Sequence, residues 1–341
     1  MCSACVSTPE GLELLRHAGF PVAAEIYRFH DGADYLRQLK QLSAGGRKIA
    51  LYHAHPAAEI EPESCLVPSG VLSFLNNKAY YGELVDASYL PRQRTLKSSS
   101  IVAELSKAHF PVVLKAATDE STGGGFDVAI CRTASDLEQA AVFFKALPLV
   151  VAEEFLPMVR NLCLGYAVNG HGDITYLGCS EQVVDSHGKY KGNWIGADIE
   201  APGEAIALGA GIVQEGFKRG YRGIVGIDMA VMDDGRVLVF DLNFRVNGSS
   251  ATLILARSIY ENLGSPLVRL KRLSAQGTYR EMLAAVYAAM EKGILWPLNS
   301  YDPRAGGTPG AVPCLTALIL GKTRDEVIGH EEMLAAQGLR P

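Results

Sequence analysis

The chain has 341 residues, 48% of them hydrophobic and 20% charged, enough for two or three domains with real cores and too apolar for a disordered protein. A formal net charge of −5, from 32 basic and 37 acidic residues, gives no reason to expect a nucleic-acid surface, so any anionic cofactor must be held by a local cluster of positive groups. No apolar run approaches the ~20 residues needed to cross a bilayer, and Met1-Cys2-Ser3-Ala4-Cys5 lacks the basic and apolar regions of a signal peptide, which predicts a cytoplasmic protein with no membrane partner.

In chain order, Glu10 to Ala18 and Tyr35 to Leu42 carry helical apolar spacing, and Lys48 to His53 resembles a strand. His53 and His55 read as a solvated loop. Cys2 and Cys5 form a CxxC with no second pair at metal-ligand spacing, and the seven cysteines read as reduced thiols. This first α/β stretch ends near Leu90-Pro91, and the polar tract Arg92 to Ser100 reads as a linker. Phe110 to Lys115 is a strand whose terminal lysine precedes Gly123-Gly124-Gly125. Glycines let backbone N–H groups turn toward a phosphate, and a lysine adds a point charge, so strand, lysine and glycines form one device. Ser135-Asp136-Leu137-Glu138 fits a capping box opening a helix toward Leu147. Leu149 to Phe155 is a strand whose end, Glu153-Glu154-Phe155-Leu156, can offer backbone and apolar contacts to a purine.

Strands are expected around Leu162 to Val168 and Ile174 to Leu177, and an exposed loop over Ser180 to Gly196. A helix begins at Pro202-Gly203-Glu204, with Ile206, Ala210, Val213 and Phe217 on one face. Further helices fit Ala251 to Asn262 and Tyr279 to Lys292. Trp296 to Pro313, rich in Pro and Gly, reads as irregular, and a short strand and helix close the chain. Two motifs are decoys. Gly321-Lys322-Thr323 lacks the first glycine of a P-loop, where Thr316 stands, and Gly209-Ala210-Gly211 lies inside a predicted helix with Gln214 at the third glycine position.

The most informative stretch is Gly226 to Arg245, two strands joined at Asp234-Gly235. Counting outward from those two turn residues, Val231 faces Leu238 and Asp228 faces Asp241, with Asn243 and Arg245 on the face of Asp241. Opposed carboxylates about 5 Å apart repel unless a cation lies between them. A hard divalent metal is the simplest remedy, with the Asn243 carbonyl as a third ligand and Arg245 holding an anion nearby. A three-residue turn with a bulge would instead slide the register by one and turn one carboxylate away.

Lys78, Lys115 with its glycines, Glu153-Glu154-Phe155-Leu156, Asp228 and Asp241-Leu242-Asn243-Phe244-Arg245 occur in the order found in the ATP-grasp superfamily. The resemblance covers roughly Leu75 to Ser250 and is closest to the carboxylate–amine ligase branch, with its D-alanine–D-alanine ligase-like and L-amino-acid ligase-like enzymes. It implies an α/β chain of α+β subdomains: a short preATP-grasp domain at 1–92, a lid at 93–156 and a metal-bearing subdomain at 157–341. By the same resemblance Lys78 and Lys115 contact ATP phosphates, and Gly123, Gly124 and Gly125 form the phosphate loop. Glu153, Glu154, Phe155 and Leu156 hold adenine, and Asn161 is the candidate for ribose. Asp228, Asp241 and Asn243 bind magnesium, with manganese as the alternative, and Arg245 stabilises the transferring phosphoryl group. Many members carry Glu where Asp241 stands, and the usual ribose-binding acid is replaced around Arg160-Asn161.

The implied reaction activates a carboxylate as an acyl phosphate and joins it to an amine, releasing ADP and phosphate. From their positions, Lys189, Lys191, Asn193, Asn247 and Ser249 are candidates to touch the acyl substrate. A thiol or bicarbonate acceptor, or a nucleotide-binding regulatory module without turnover, are the competing readings. The family also suggests a homodimer. The sequence names neither the acid nor the amine.

Overall fold

The computed structural model describes residues 1–118, 127–307 and 309–341. Gly123, Gly124 and Gly125, expected as the phosphate loop, lie outside the described residues. The first stretch carries β1 (Cys2–Ser3), α1 (Pro9–His17), β2 (Arg28–Phe29), α2 (Gly32–Ala44) and α3 (Ser69–Asn76). Thr8 and Asp31 cap the two long helices by accepting from Gly11 and Asp34 N–H. The strand expected at Lys48 to His53 reduces to one bridge, Ile49 to Cys65, because the polar run after it has no partner strand to pair with. His53 is exposed in a loop, as expected, but His55 is not solvated. The His55 ring is buried, bonded to Tyr35 Oη at 3.0 Å and Glu59 Oε2 at 2.7 Å, and His53 packs on it with ring centroids 4.5 Å apart.

The expected linker at Arg92 to Ser100 is the first strand of a separate antiparallel sheet. Strands β3 (Gln93–Lys97), β4 (Val112–Ala116), β5 (Val128–Cys131) and β6 (Leu149–Glu154) lie in the order β3-β6-β4-β5. Helices α4 (Ile101–Leu105) and α5 (Ala134–Phe144) cover one face around a core of its own, including Leu96, Leu114, Leu137 and Phe144. The strand was hidden because only Leu96 among its side chains is buried. The capping box of α5 is real but begins two residues earlier than expected, from Thr133 to Asp136.

The largest sheet runs β11-β10-β7-β8-β9-β12-β14-β13, with β15 added to β12 and every neighbour antiparallel. Its strands are β7 (Arg160–Val168), β8 (Ile174–Val184), β9 (Tyr190–Gly196), β10 (Gly223–Val231), β11 (Val237–Asn243), β12 (Leu267–Ala275), β13 (Leu295–Tyr301), β14 (Cys314–Gly321) and β15 (Leu339–Arg340). Helices α6 (Gly203–Lys218), α7 (Ser250–Leu263), α8 (Tyr279–Glu291) and α9 (Arg324–Ala336) pack on it. From β12 onward the chain is a βαββαβ unit with the sheet order β15-β12-β14-β13, a ferredoxin-like arrangement. Ser180 to Gly196 is therefore not an exposed loop. It is the β8–β9 hairpin, and its polar Asn193 and Ser180 are buried. Nor is Trp296 to Pro313 wholly irregular, since β13 pairs with β14 through an irregularity at Pro297.

The two decoys have structural roles. Gly209 and Gly216 let α6 rest on the sheet side chains, since a Cβ would lie 2.3 Å from Tyr166 Oη or from Phe244 Cε1. Gly321 ends β14 and Thr323 caps α9. Among the described residues no helix is long and apolar enough to cross a membrane.

Candidate functional site

A cavity of about 630 Å³ opens between the four-stranded sheet and the β11 end of the large sheet. Its floor depends on the register of the acidic hairpin. The turn is one residue longer than expected: Met232 N–H bonds to Arg236 O, Gly235 takes φ +84°, and Val231 faces Val237 rather than Leu238. That slip alone would turn one aspartate away. A bulge at Phe240 inserts a compensating residue, so that Asp228 still pairs with Asp241 and Gly226 with Asn243. The bulge also turns the Phe240 carbonyl to accept from Lys115 Nζ at 2.6 Å.

Strand β11 is a sheet edge with N–H groups to satisfy. The end of α3 and the segment after it do this. Asn76 Oδ1 accepts from Phe244 N–H at 2.9 Å, and Tyr81 Oη accepts from Leu242 N–H at 3.0 Å while donating to Asp241 Oδ1 at 2.8 Å. The same clamp delivers Lys78, whose Nζ lies 2.8 Å from Asp127 Oδ2 and 3.6 Å from Asp241 Oδ1. Burial works to lower the Lys78 pKa, but Asp241 and Asp127 outweigh it and hold the ammonium more firmly charged than usual. Lys115, on β4, forms an ion pair with Glu153 at 2.5 Å, and both are buried.

Asp228, Asp241 and Asn243 converge. Asn243 Nδ2 lies 3.5 Å from Asp228 Oδ2 and 3.3 Å from Asp241 Oδ2. Burial, then the charge of Asp241, push the Asp228 pKa up to about 7. Burial acts the same way on Asp241, but Lys78 and Lys115 prevail and its pKa falls. Asn243 offers an oxygen to the same point if its amide is turned over, the two orientations being nearly isosteric. Two carboxylates and an amide oxygen are the hard donor set that suits magnesium, completed by water and phosphate oxygens. Among the described residues no three His, Cys, Asp or Glu side chains cluster, so a third protein donor has to be an uncharged oxygen such as this amide.

Arg245 is nearly buried, with Nη1 3.3 Å from Tyr52 Oη and its guanidinium 5.2 Å above the Tyr52 ring. Phe155, Leu156 and Asn161 line the cavity beside β6. The Asn161 Oδ1 is buried with no partner among the described residues. Glu153 and Glu154 also line the cavity, but their carboxylates are engaged, Glu153 by Lys115 and Glu154 by Arg92 at 2.7 Å. Of the substrate candidates, Asn193, Asn247 and Ser249 line the cavity. Asn247 Oδ1 accepts from Ser249 and Ser250 N–H in front of α7, and Nδ2 of the same amide donates to Cys163 Sγ at 3.2 Å. Gly226 leaves room for this, since a Cβ there would lie 1.8 Å from Asn247 Nδ2. Lys191 is not brought into the cavity. It is half exposed and paired to Asp185 at 3.4 Å. Lys189, too, is exposed and outside the lining.

Sequence reasoning missed Tyr52, Tyr81, Asp127, Cys163, Gln182 and Tyr190. Gln182 Nε2 donates to Asp228 Oδ1 at 2.7 Å. Gln182 had a usable signal, the alternation of β8, whereas Tyr190 reaches the cavity through an irregularity in β9 that alternation does not mark. Tyr52, Tyr81 and Asp127 reach the site from segments without periodicity, and no local pattern marks them.

Comparisons with known proteins bear on the family and the fold. A family model described as L-aspartate–L-methionine ligase, ATP grasp, matches residues 91–243, and one described as the L-aspartate–L-methionine ligase N-terminal domain matches residues 1–73. Among solved structures, the carboxyaminoimidazole ribonucleotide synthase of Aspergillus clavatus with ATP is similar at 14% identity and TM-score 0.58, over 82% of this chain and 76% of that one. The N5-carboxyaminoimidazole ribonucleotide synthetase of Thermus thermophilus is similar at 15% identity and TM-score 0.58, over 99% and 98%. The biotin carboxylase of Campylobacter jejuni with an ATP analogue is similar at 13% identity and TM-score 0.55, over 83% and 71%. At these identities the solved structures speak for the fold.

Proposed function

The chain belongs to the ATP-grasp superfamily, in its carboxylate–amine ligase branch, and from that premise we propose that it joins L-aspartate to L-methionine. It is an ATP-dependent, ADP-forming ligase that acts on small molecules. The choice of substrates rests on the two family matches, which fall on both the N-terminal stretch and the ATP-grasp stretch. The observation that carries the chemistry is the convergence of Asp228, Asp241, Asn243, Lys78, Lys115 and Arg245 on one cavity.

The division of labour that fits is residues 1–92 as the preATP-grasp part, 93–156 as the lid and 157–341 as the body, with the nucleotide between the last two. Phe155 and Leu156 give adenine an apolar seat at the end of β6, and Asn161 Oδ1 is the acceptor for a ribose hydroxyl. Lys115 and Lys78 are aimed at the phosphates. Each now has carboxylate partners that a triphosphate can replace by charge. Asp228, Asp241 and Asn243 hold magnesium, which when bound offsets charge on the phosphates. One aspartate carboxylate attacks the γ-phosphorus, the bond to ADP breaks, and an acyl phosphate forms. The methionine amine then attacks the acyl carbon, loses a proton and expels phosphate, leaving an amide. Arg245 neutralises the phosphoryl group in transit, and its burial makes that charge effective. The lid keeps water from the acyl phosphate.

The test is ADP release with magnesium, aspartate and methionine, with the dipeptide read by mass spectrometry. Stoichiometric dipeptide and ADP are expected. Turnover with a different acid–amine pair would replace the substrate assignment. ADP release without any amide would remove the ligation step.

A further inference from the structure

We propose that Tyr190 and Asn193 form the subsite that grips the α-ammonium and α-carboxylate of the acid substrate. This rests on the reading that the cavity takes an amino acid. Residues three apart on a regular strand point to opposite faces. Here Gln182 pairs with Asn193 but Val184 pairs with Tyr190, so β9 carries an irregularity between them. Gly192 takes φ +108°, and a Cβ on it would lie 1.9 Å from the Leu270 carbonyl oxygen, so only glycine can occupy the position. The bulge brings Tyr190 and Asn193 to the same cavity.

Among the described residues nothing engages their polar atoms. Asn193 is 1% exposed, yet among the described residues neither its Oδ1 nor its Nδ2 has a hydrogen-bond partner, and the buried Tyr190 Oη has none either. A desolvated amide and phenol left this way destabilise the folded chain. Gly248 keeps the approach to the phenol open, since a Cβ there would stand 3.1 Å from Tyr190 Oη. The pair lies next to the reacting centre, with Gln182 beside Asn193 bonded to Asp228.

The chemistry of the two groups defines the ligand. The amide presents one donor group and one acceptor, and the phenol can do either. Neither is charged. A lone buried ion would need a counter-charge, whereas a zwitterionic head group is neutral overall and needs both a donor and an acceptor. An α-amino acid meets that description and its desamino analogue does not.

The experiment crosses protein variants with substrate analogues. Wild-type kcat/KM is compared for aspartate and for succinate, its desamino analogue, then repeated in Asn193→Leu and Tyr190→Phe. Wild type should prefer aspartate by on the order of 100-fold, and Asn193→Leu should lower that preference by about 10- to 100-fold, the factor of a hydrogen bond to a charged group. KM for ATP should hold, and the melting temperature of Asn193→Leu should stay level or rise. Lys191→Ala, on the same strand but outside the cavity, should keep the wild-type preference. An unchanged preference in both subsite variants overturns the proposal. So does a fall in melting temperature with aspartate and ATP affected equally, which is the signature of a structural role. If wild type turns over a different amino acid, the aspartate assignment fails and the same crossing is run with that acid and its desamino analogue. If it turns over no amino acid, the subsite proposal falls as well.

Discussion

Tyr81→Phe removes one oxygen and tests how the site is held. That hydroxyl accepts from Leu242 N–H at 3.0 Å and donates to Asp241 Oδ1 at 2.8 Å, in a residue only 1% exposed. Loss of the acceptor strands a buried backbone N–H, at a cost of ~1–3 kcal/mol, and loss of a hydrogen bond to a carboxylate adds ~1.5–3 kcal/mol. Lys78 remains 3.6 Å from the same carboxylate oxygen and recovers part of the second loss. The expected sum is about 2–4 kcal/mol, read by urea denaturation of the protein without ligands. Because Asp241 loses its fixed orientation, the magnesium concentration for half-maximal ADP release should rise about 10-fold or more, a charge-assisted bond being the restraint removed. Wild-type stability together with wild-type magnesium dependence would refute the claim that Tyr81 orients the carboxylate.

Three further outcomes are expected. Lys115→Met leaves Glu153 buried without its partner and should destabilise by ~3–5 kcal/mol, whereas Lys115→Met with Glu153→Gln should regain most of that stability in denaturation but none of the ATP turnover. Gly226→Ala should displace the Asn247 amide, lowering stability by ~1–3 kcal/mol and kcat/KM with it, as seen by melts and ADP release. His53 has its pKa lowered by burial and then by His55, so its stabilising share is present above the ordinary histidine pKa and is lost as pH falls through the lowered one. Melts at about pH 7.5 and below about pH 6, on either side of the ordinary histidine pKa, should show a smaller acid-side loss in His53→Gln than in wild type.

Periodicity and motif order carried the reading furthest where burial alternates cleanly. The β10–β11 hairpin, the helix at Gly203–Lys218 and the lysine one residue from the end of β4 were all legible. The pairing of Asp228 with Asp241 was expected from a two-residue turn, and it is reached through a longer turn and a bulge whose shifts cancel. Local sequence does not encode such cancellation, because the bulge answers to Lys115, which reaches the Phe240 carbonyl from 125 positions away in the chain. The β8–β9 hairpin was misread as a loop because Gln182, Tyr190 and Asn193 are polar residues turned inward. That inversion of the usual pattern is what a polar cavity imposes on its walls. Tyr81 and Asp127 were invisible for a different reason. Each completes a contact with Asp241 or Lys78 across distant segments, and neither belongs to a periodic face.

The most direct test follows oxygen. Aspartate labelled with ¹⁸O in its carboxylates is incubated with ATP, magnesium and methionine, and the released phosphate is examined by mass spectrometry. Attack by the carboxylate on the γ-phosphorus carries one labelled oxygen into each phosphate released. Phosphate without label, or label recovered in AMP, would contradict activation through an acyl phosphate.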